Sequence, residues 1–419
     1  MLGSTRFWAS VFIEQPTDFT FVTEDWLLYY FKNGFTPLLI RPYAHPIYQD
    51  STYLCSLQNA ASWVKSAFLA NSALHASWKI PYLKSSAMAH YSNAVHGLQM
   101  AIDNGEIDGS EDYTLAAVVF LLLFEKIHAE PSSLASTHLR GLAHLMRIRS
   151  TESARHSDQD KVLPFHRLAT ESFAYQISTL SLLNPEVRSL APLFSWDSLG
   201  TTMCVKFLPG DTEYSAAPLL GRHRNLFKLI YEVTCLCSQD VPLEDRATKA
   251  HIHDENLEEM SNELDGGSEY FSELDVNERA YRNETLLYIY TAQILTFKLL
   301  NHASAIDHSR IQYLSHKALS LLRFCKVSPL ASDFLCWPIL ILGCCVSREE
   351  DMYFLNEKLV ELWQASFCGQ IRRSAVVLTE VWNLRRRRGR MADLGGEASL
   401  VDGADPLDQL LGIGKTARS

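Results

Sequence analysis

The sequence predicts an all-α protein, an irregular bundle of antiparallel helix pairs. Three observations predict it. From Thr52 onward apolar residues recur at spacings of three and four, as on a helix with one buried face. No stretch of useful length alternates apolar and polar residues as a half-buried strand does. Helix-stopping residues, Pro81, Gly105, Pro131 and Gly389, fall between the periodic segments. The helices share no fixed repeat period, so a regular solenoid is not predicted.

Residues 1–51 form an N-terminal segment rich in aromatics and proline. Tyr29, Tyr30, Phe31, Tyr43 and Tyr48 crowd it, Tyr53 follows, and Pro37, Pro42 and Pro46 are interspersed. Such a segment wraps over a helical body; the alternative is that its rings line a pocket for an apolar small molecule. Leu54, Leu57, Ala61, Val64 and Phe68 then mark one face of a helix running from 52 toward Trp78, with Pro81 as its stop. The next helix carries the stripe Met88, Tyr91, Val95, Leu98 and Ile102, and Asp103, Asn104 and Gly105 end it with a left-handed cap.

Residues 113–149 read as two helices broken at Pro131. In the first, with Asp112 and Thr114 as capping candidates, residues 115–124 are apolar on every side, which predicts burial among other helices. These ten residues are too few for a membrane span, which needs about 20. The second helix repeats Leu139, Leu142, Leu145, Met146 and Ile148 on one face, with Arg140, Arg147 and Arg149 elsewhere. Further helices are predicted at about 162–183, 221–237, 281–300, 308–326, 335–346, 350–367 and 370–385 from the same periodicity.

Hydrophobic residues at 47% and charged residues at 21% suit a soluble globular chain with a large core. The first twelve residues lack a basic region followed by an apolar run, so no secretory signal is read and an intracellular protein is expected. Nine cysteines are scattered, and Cys325, Cys336, Cys344 and Cys345 have apolar neighbours, as reduced buried thiols do. The net charge of −10 is concentrated: residues 240–284 hold fourteen acidic and four basic side chains, a balance equal to that of the whole chain. The remainder is near neutral and neither advertises nor forbids nucleic acid. The acidic stretch interleaves Leu257, Met260, Leu264, Tyr270, Phe271 and Leu274 with carboxylates and reads as a solvated linker that admits a short amphipathic helix. The domain organisation expected is therefore 1–51 on the body, helical halves at 52–239 and 281–390, an acidic linker at 240–280, and a poorly ordered tail at 391–419.

Few residues suggest chemistry. Arg385, Arg386, Arg387, Arg388 and Arg390 place five arginines in six positions, a pattern that nuclear import receptors read and that also suits a helix C-terminus, with Gly389 as the stop. Cys235 and Cys237 followed by His251 and His253 have zinc-binding residue types, but residues two apart on a helix point to nearly opposite sides. Glu125 and His128 have the spacing used in di-iron bundles, without the second copy such a site needs. Gly412, Gly414, Lys415 and Thr416 imitate a phosphate loop, with Gln409 where its first glycine belongs. No nucleophile elbow, zinc-protease pair or dinucleotide turn is present. No cofactor, metal or catalytic residue is predicted, and no membrane partner.

Several short segments together carry a resemblance. They are Trp26-Leu27-Leu28-Tyr29-Tyr30-Phe31; the small-residue helix ending Ser72-Ala73-Leu74-His75; Phe124-Glu125, a loop, then His138-Leu139-Arg140-Gly141-Leu142-Ala143; Trp337-Pro338-Ile339-Leu340-Ile341-Leu342-Gly343-Cys344; and Val381-Trp382-Asn383-Leu384-Arg385. In this order they resemble the regulatory domain of fungal binuclear zinc-cluster transcription factors, over roughly Trp26 to Arg390. The resemblance implies nuclear action on RNA polymerase II genes, often of metabolic or secondary-metabolite pathways. It also implies a helical body that restrains or relays activity through a small-molecule effector or protein partners, such as a zinc-cluster regulator or the transcription machinery. The family's DNA-reading module uses six cysteines, four in two Cys-x-x-Cys pairs; here the first cysteine is Cys55 and no such pair occurs. DNA is accordingly expected to be reached indirectly or through an upstream module. The alternatives are a small-molecule-binding protein or biosynthetic enzyme on this scaffold, for which the cytoplasm is expected, and a pure interaction scaffold.

Overall fold

A computed structural model describes residues 22–41, 44–48, 52–130, 134–153, 164–211, 217–221, 224–237, 241–265, 276–325, 327, 332–393 and 405–411. Helix α1 (Glu24–Tyr30) runs through a π-helical turn (Phe31–Phe35) into α2 (Thr36–Leu39), and a 3-10 turn follows at Pro46–Tyr48. The first half continues with α3 (Thr52–Gln58), α4 (Ser62–Ala76), α5 (Leu83–Asp103), α6 (Asp112–Ile127), α7 (Leu134–Ser153), α8 (Pro164–Leu180), α9 (Pro185–Arg188), α10 (Trp196–Met203) and α11 (Arg224–Cys235). The second half holds α12 (Leu243–Asp265), α13 (Val276–Leu300), α14 (Ser309–Phe324), a 3-10 turn (Ser332–Leu335), α15 (Cys336–Cys345), α16 (Glu349–Ser366), α17 (Gly369–Asp393) and α18 (Pro406–Leu411). No strand occurs among the described residues. The fold is all-α.

Helix α6 is the axis. Every residue from Thr114 to Glu125 is buried, as its all-round apolar surface requires, because α4, α5, α7, α8 and α17 pack around it. Its N-terminus differs from expectation. The N-cap is Glu111, whose carboxylate accepts the N–H groups of Asp108 at 2.9 Å and Gly109 at 3.1 Å and the Thr114 hydroxyl at 3.1 Å. Asp112 instead pairs with Arg149 at 3.0 Å and with His166.

The helix expected from 52 to 78 is two helices, because Ala61 is extended at φ −153° and ψ 156°. The break lets α3 turn onto α6 and α8 while α4 pairs with α5. Of the stripe of large residues expected on α5, Tyr91 is buried and Val95 and Leu98 pack partly buried on the core, but the fully buried face is made largely of other residues. It is Leu83, Ala87, Tyr91, Ala94 and Ala101, whereas Met88 and Ile102 are exposed. Small residues win because the two helices nearly touch: a Cβ on Gly97 would lie 2.2 Å from that of Trp63.

Two acidic or terminal regions are more ordered than their composition predicts. Residues 243–265 of the expected linker form the 23-residue α12, which lies along α13 and buries Ala250, Leu257 and Ser261. Asp254 shares their line down the helix and accepts the Thr296 hydroxyl of α13 at 3.0 Å, while Glu255, Glu258, Glu259 and Glu263 face outward. Tyr270, Phe271 and Leu274 lie outside the described residues. Within the expected tail, α18 is docked on α15, with Leu407 and Leu411 fully buried.

A single hydrophobic cluster runs from Leu27 to Leu411 and joins both halves. Arginines close several helix C-termini, where carbonyls lack intrahelical partners. Arg188 donates to Ser181 and Leu182 at the end of α8, at 2.8 and 3.1 Å. Arg373 donates to the carbonyls of Glu125, Lys126 and His128 at the end of α6, and Arg385 to those of Cys344 and Val346 at the end of α15.

Candidate functional site: a cavity where both halves meet

Where α2, α6, α8 and the 332–335 turn converge, side chains leave a cavity of about 50 Å³. On the same measure one water needs roughly 10–15 Å³, so the space suits a few waters or a small ligand. Thr36, Leu39 and Ile40 come from the N-terminal segment, Val119, Phe120 and Leu123 from α6, and Phe165, Leu168 and Ser172 from α8. Leu54, Leu219 and Phe334 complete its apolar wall.

One charged pair faces this apolar space. Lys126, the last cation of α6, forms an ion pair with Asp333. Burial works to depress the Lys126 pKa, but the attraction and hydrogen bond of Asp333 outweigh it, so the ammonium is held above its usual range. The ammonium also lies 4.9 Å from the Tyr175 ring centre and 5.9 Å from that of Phe334. The turn bearing Asp333 is fixed by long-range hydrogen bonds: Tyr175 donates to the Asp333 carbonyl at 3.4 Å and Tyr288 to the Phe334 carbonyl at 2.5 Å. Arg41 stacks 4.2 Å over Phe334 and pairs with Glu284 of α13. Four distant parts of the chain therefore meet at Asp333 and Phe334.

Behind the wall, Arg167 and Glu171 pair at 3.0 Å, and Glu171 accepts the N–H groups of Leu219 and Leu220 at 2.8 Å each. Burial dominates and pushes the Glu171 carboxyl up, against the pull of Arg167 and these N–H groups. The pairing holds the 217–221 strip, including the lining Leu219, in place.

The N-terminal segment reaches the body through its rings. Phe31 packs on Phe68 at 4.8 Å and on Phe120 at 5.1 Å. Tyr30 donates to His75 Nδ1 at 2.7 Å, and His75 Nε2 donates to the Ser366 carbonyl at 2.8 Å. Full burial lowers the His75 pKa to about 4, against the opposing effect of its bond to Ser366, so the ring is neutral and clasps the segment, α4 and α16 together. Tyr48 is buried against Phe207 and Tyr53, away from the cavity wall, and Tyr29 is exposed. Tyr43 lies outside the described residues.

The arginine cluster divides. Arg385 is spent on the α15 carbonyls; Arg386 makes a two-point pair with Glu349, at 2.8 and 2.6 Å, on the surface; Arg387 is exposed. The side chains of Arg388 and Arg390 lie outside the described residues. The thiols of Cys235 and Cys237 point to different carbonyls, those of Arg188 and Val233, while His251 faces Glu255 and His253 faces Glu232. Among the described residues no group of three or more such side chains is placed to hold a metal. Glu125 accepts from Tyr91 at 2.6 Å, and His128 stacks on Phe124. Residues 412–416 lie outside the described residues. Among the described helices none is long and apolar enough to cross a membrane.

Sequence reasoning missed Lys126 and Asp333. The available signal was a lysine at the end of an otherwise apolar helix; nothing local marks Asp333.

No curated protein and no solved structure matches this chain. The profile of the fungal specific transcription factor domain matches residues 27–397, nearly the whole described body. That family comprises regulators, not enzymes, and the chain belongs to it.

Proposed function

We propose that this protein regulates RNA polymerase II genes of a metabolic or secondary-metabolite pathway, acting in the nucleus through its helical body. The observation that carries the reading is the family match over residues 27–397. DNA is read by a zinc-cluster module outside these 419 residues, since they contain no Cys-x-x-Cys pair. That module belongs to a protein partner or to another segment of the same polypeptide. Arg386, Arg387, Arg388 and Arg390 serve import, and Arg385 serves packing.

The cavity supports a role for the body as an effector sensor. Its apolar wall and single ammonium, already paired with Asp333, suit a compact apolar molecule with one acceptor or anionic group that competes for Lys126. Occupation there acts on the N-terminal segment, α6, α8 and the 332–335 turn at once.

The test is location. A fluorescent fusion of the full chain is expected in the nucleus, and Arg386→Ala, Arg387→Ala and Arg388→Ala together are expected to shift it to the cytosol. Keeping Arg385 preserves its bonds to α15, so loss of import is separable from misfolding. A wild-type fusion that stays cytosolic under every growth condition would overturn the reading.

A further inference from the structure

The short helix α18 is attached to the body in a way that the regulator reading does not use. Asp405 starts it: Oδ1 accepts the Leu407 N–H at 2.8 Å, and Pro406 stands at the first helical position. Leu407 and Leu411 are fully buried, facing α15. The second oxygen of Asp405 lies 3.1 Å from Lys298 Nζ, and Asp408 Oδ1 lies 3.2 Å from it. Lys298, on α13, is 1% exposed and also donates to the Ser304 carbonyl.

Three features distinguish this contact from ordinary core. The helix has six residues, whereas isolated helices shorter than about 12–15 residues are marginal in water, so its helicity depends on docking. Both ion pairs of Lys298 among the described residues are made with this segment. Between Asp393 and Asp405 the sequence has eleven residues, three of them glycine, a length of chain whose upper limit of reach is about 40 Å. A permanent contact needs no buried ion pair, because apolar packing of equal volume serves as well. What a buried ammonium adds is selection for an occupant that brings carboxylates to that point.

We propose that the cleft floored by Lys298 and walled by α15 is a binding site for a short acidic, leucine-bearing helix. Residues 405–411 are its resident ligand in the same chain, and they leave and return as a unit. Covalent connection to the body keeps the local concentration of the segment high, so it docks without a strong intrinsic affinity. Release opens an apolar groove with the Lys298 ammonium at its floor.

The test uses the full chain with a sequence-specific protease site inserted between residues 398 and 403. After cleavage the C-terminal fragment is expected to dissociate on dilution. A fluorescent peptide of residues 403–412 is then expected to bind the emptied body, and its Asp405→Asn, Asp408→Asn form to bind about a hundredfold more weakly or worse, the scale for breaking a buried pair. In the uncut wild-type chain, amide hydrogens of residues 407–411 are expected to exchange faster than those of α15. Equal protection of both, a fragment that excess peptide cannot displace, or equal binding of the charge-free peptide would overturn the proposal. So would a concentration-dependent dimer joined through residues 405–411 of a second copy.

Discussion

Lys126, largely buried, and Lys298, fully buried, both face carboxylates, yet they are anchored differently. The partner of Lys126, Asp333, sits on a turn held by Tyr175, Tyr288 and Arg41 from three other parts of the chain. The partners of Lys298 sit on a six-residue helix that touches chiefly α15. The difference teaches that the cost of breaking a buried ion pair depends on whether the orphaned charge can reach water. Lys126, whose side chain is 12% exposed, is held to its partner by the packed groups around the turn, whereas Lys298, at 1%, gains solvent only once α18 lifts off.

The strongest way to break this contrast is Asp333→Ala. It strands the Lys126 ammonium and is expected to cost about 3–5 kcal/mol, read as a lower urea midpoint at unchanged slope. Replacing the pair together, Lys126→Met with Asp333→Leu, is expected to restore most of that loss. A cost under about 1 kcal/mol for the single change, the range of exposed pairs, would show that water already reaches Lys126.

His75 supplies a buried base of the opposite kind, held neutral. Its folded pKa of about 4 lies below the ordinary value of 6.5, so between those values the unfolded chain binds the extra proton. The stabilising contribution is therefore complete above about pH 6.5 and is lost as pH falls toward 4, by roughly 3 kcal/mol over the window. Denaturant titrations at pH 7.5 and 4.5 read it, and His75→Asn is expected to remove that part of the slope. A slope unchanged by the substitution would contradict the assignment.

A smaller effect is expected where α17 meets the end of α6. A Cβ on Gly369 would stand 2.2 Å from the Ile127 carbonyl oxygen and 2.4 Å from that of His128. Backbone cannot yield as a side chain does, so Gly369→Ala is expected to cost about 1–3 kcal/mol in thermal or urea unfolding. Smallest of all is Asp405→Asn with Asp408→Asn in the intact chain. Because Lys298 is solvated when α18 leaves, global unfolding is expected to change by no more than about 1 kcal/mol. A loss as large as that of Asp333→Ala would erase the distinction between the two lysines.

The parts of the fold legible in the sequence were those set by one dominant signal. The run from Leu115 to Phe124 has no polar face, so burial on all sides was unavoidable, and α15, with Trp337 through Cys345 apolar apart from a glycine, follows the same logic. Helix α12 was obscured because its buried line consists of Ala250, Leu257 and Ser261 among carboxylates. The α5 face was legible only in part: Tyr91, Val95 and Leu98 pack on the core as the stripe predicts, but Ala87, Ala94 and Ala101, which make the closest contact, carry no such signal. The site was hardly legible. None of the N-terminal aromatics lines the cavity, to which that segment contributes Thr36, Leu39 and Ile40, and Asp333 lies far from Lys126 in sequence, so that only the fold brings them together. Arg385 shows the same limit: five neighbouring arginines look alike until one is found capping another helix.

The central claim, that this helical body belongs to a working transcriptional regulator, is tested most directly by promoter occupancy of the tagged native protein in its source cells. The account predicts crosslinking to a defined set of promoters whose transcripts change when the gene is deleted. A protein absent from chromatin, with no change in transcripts on deletion, would contradict it.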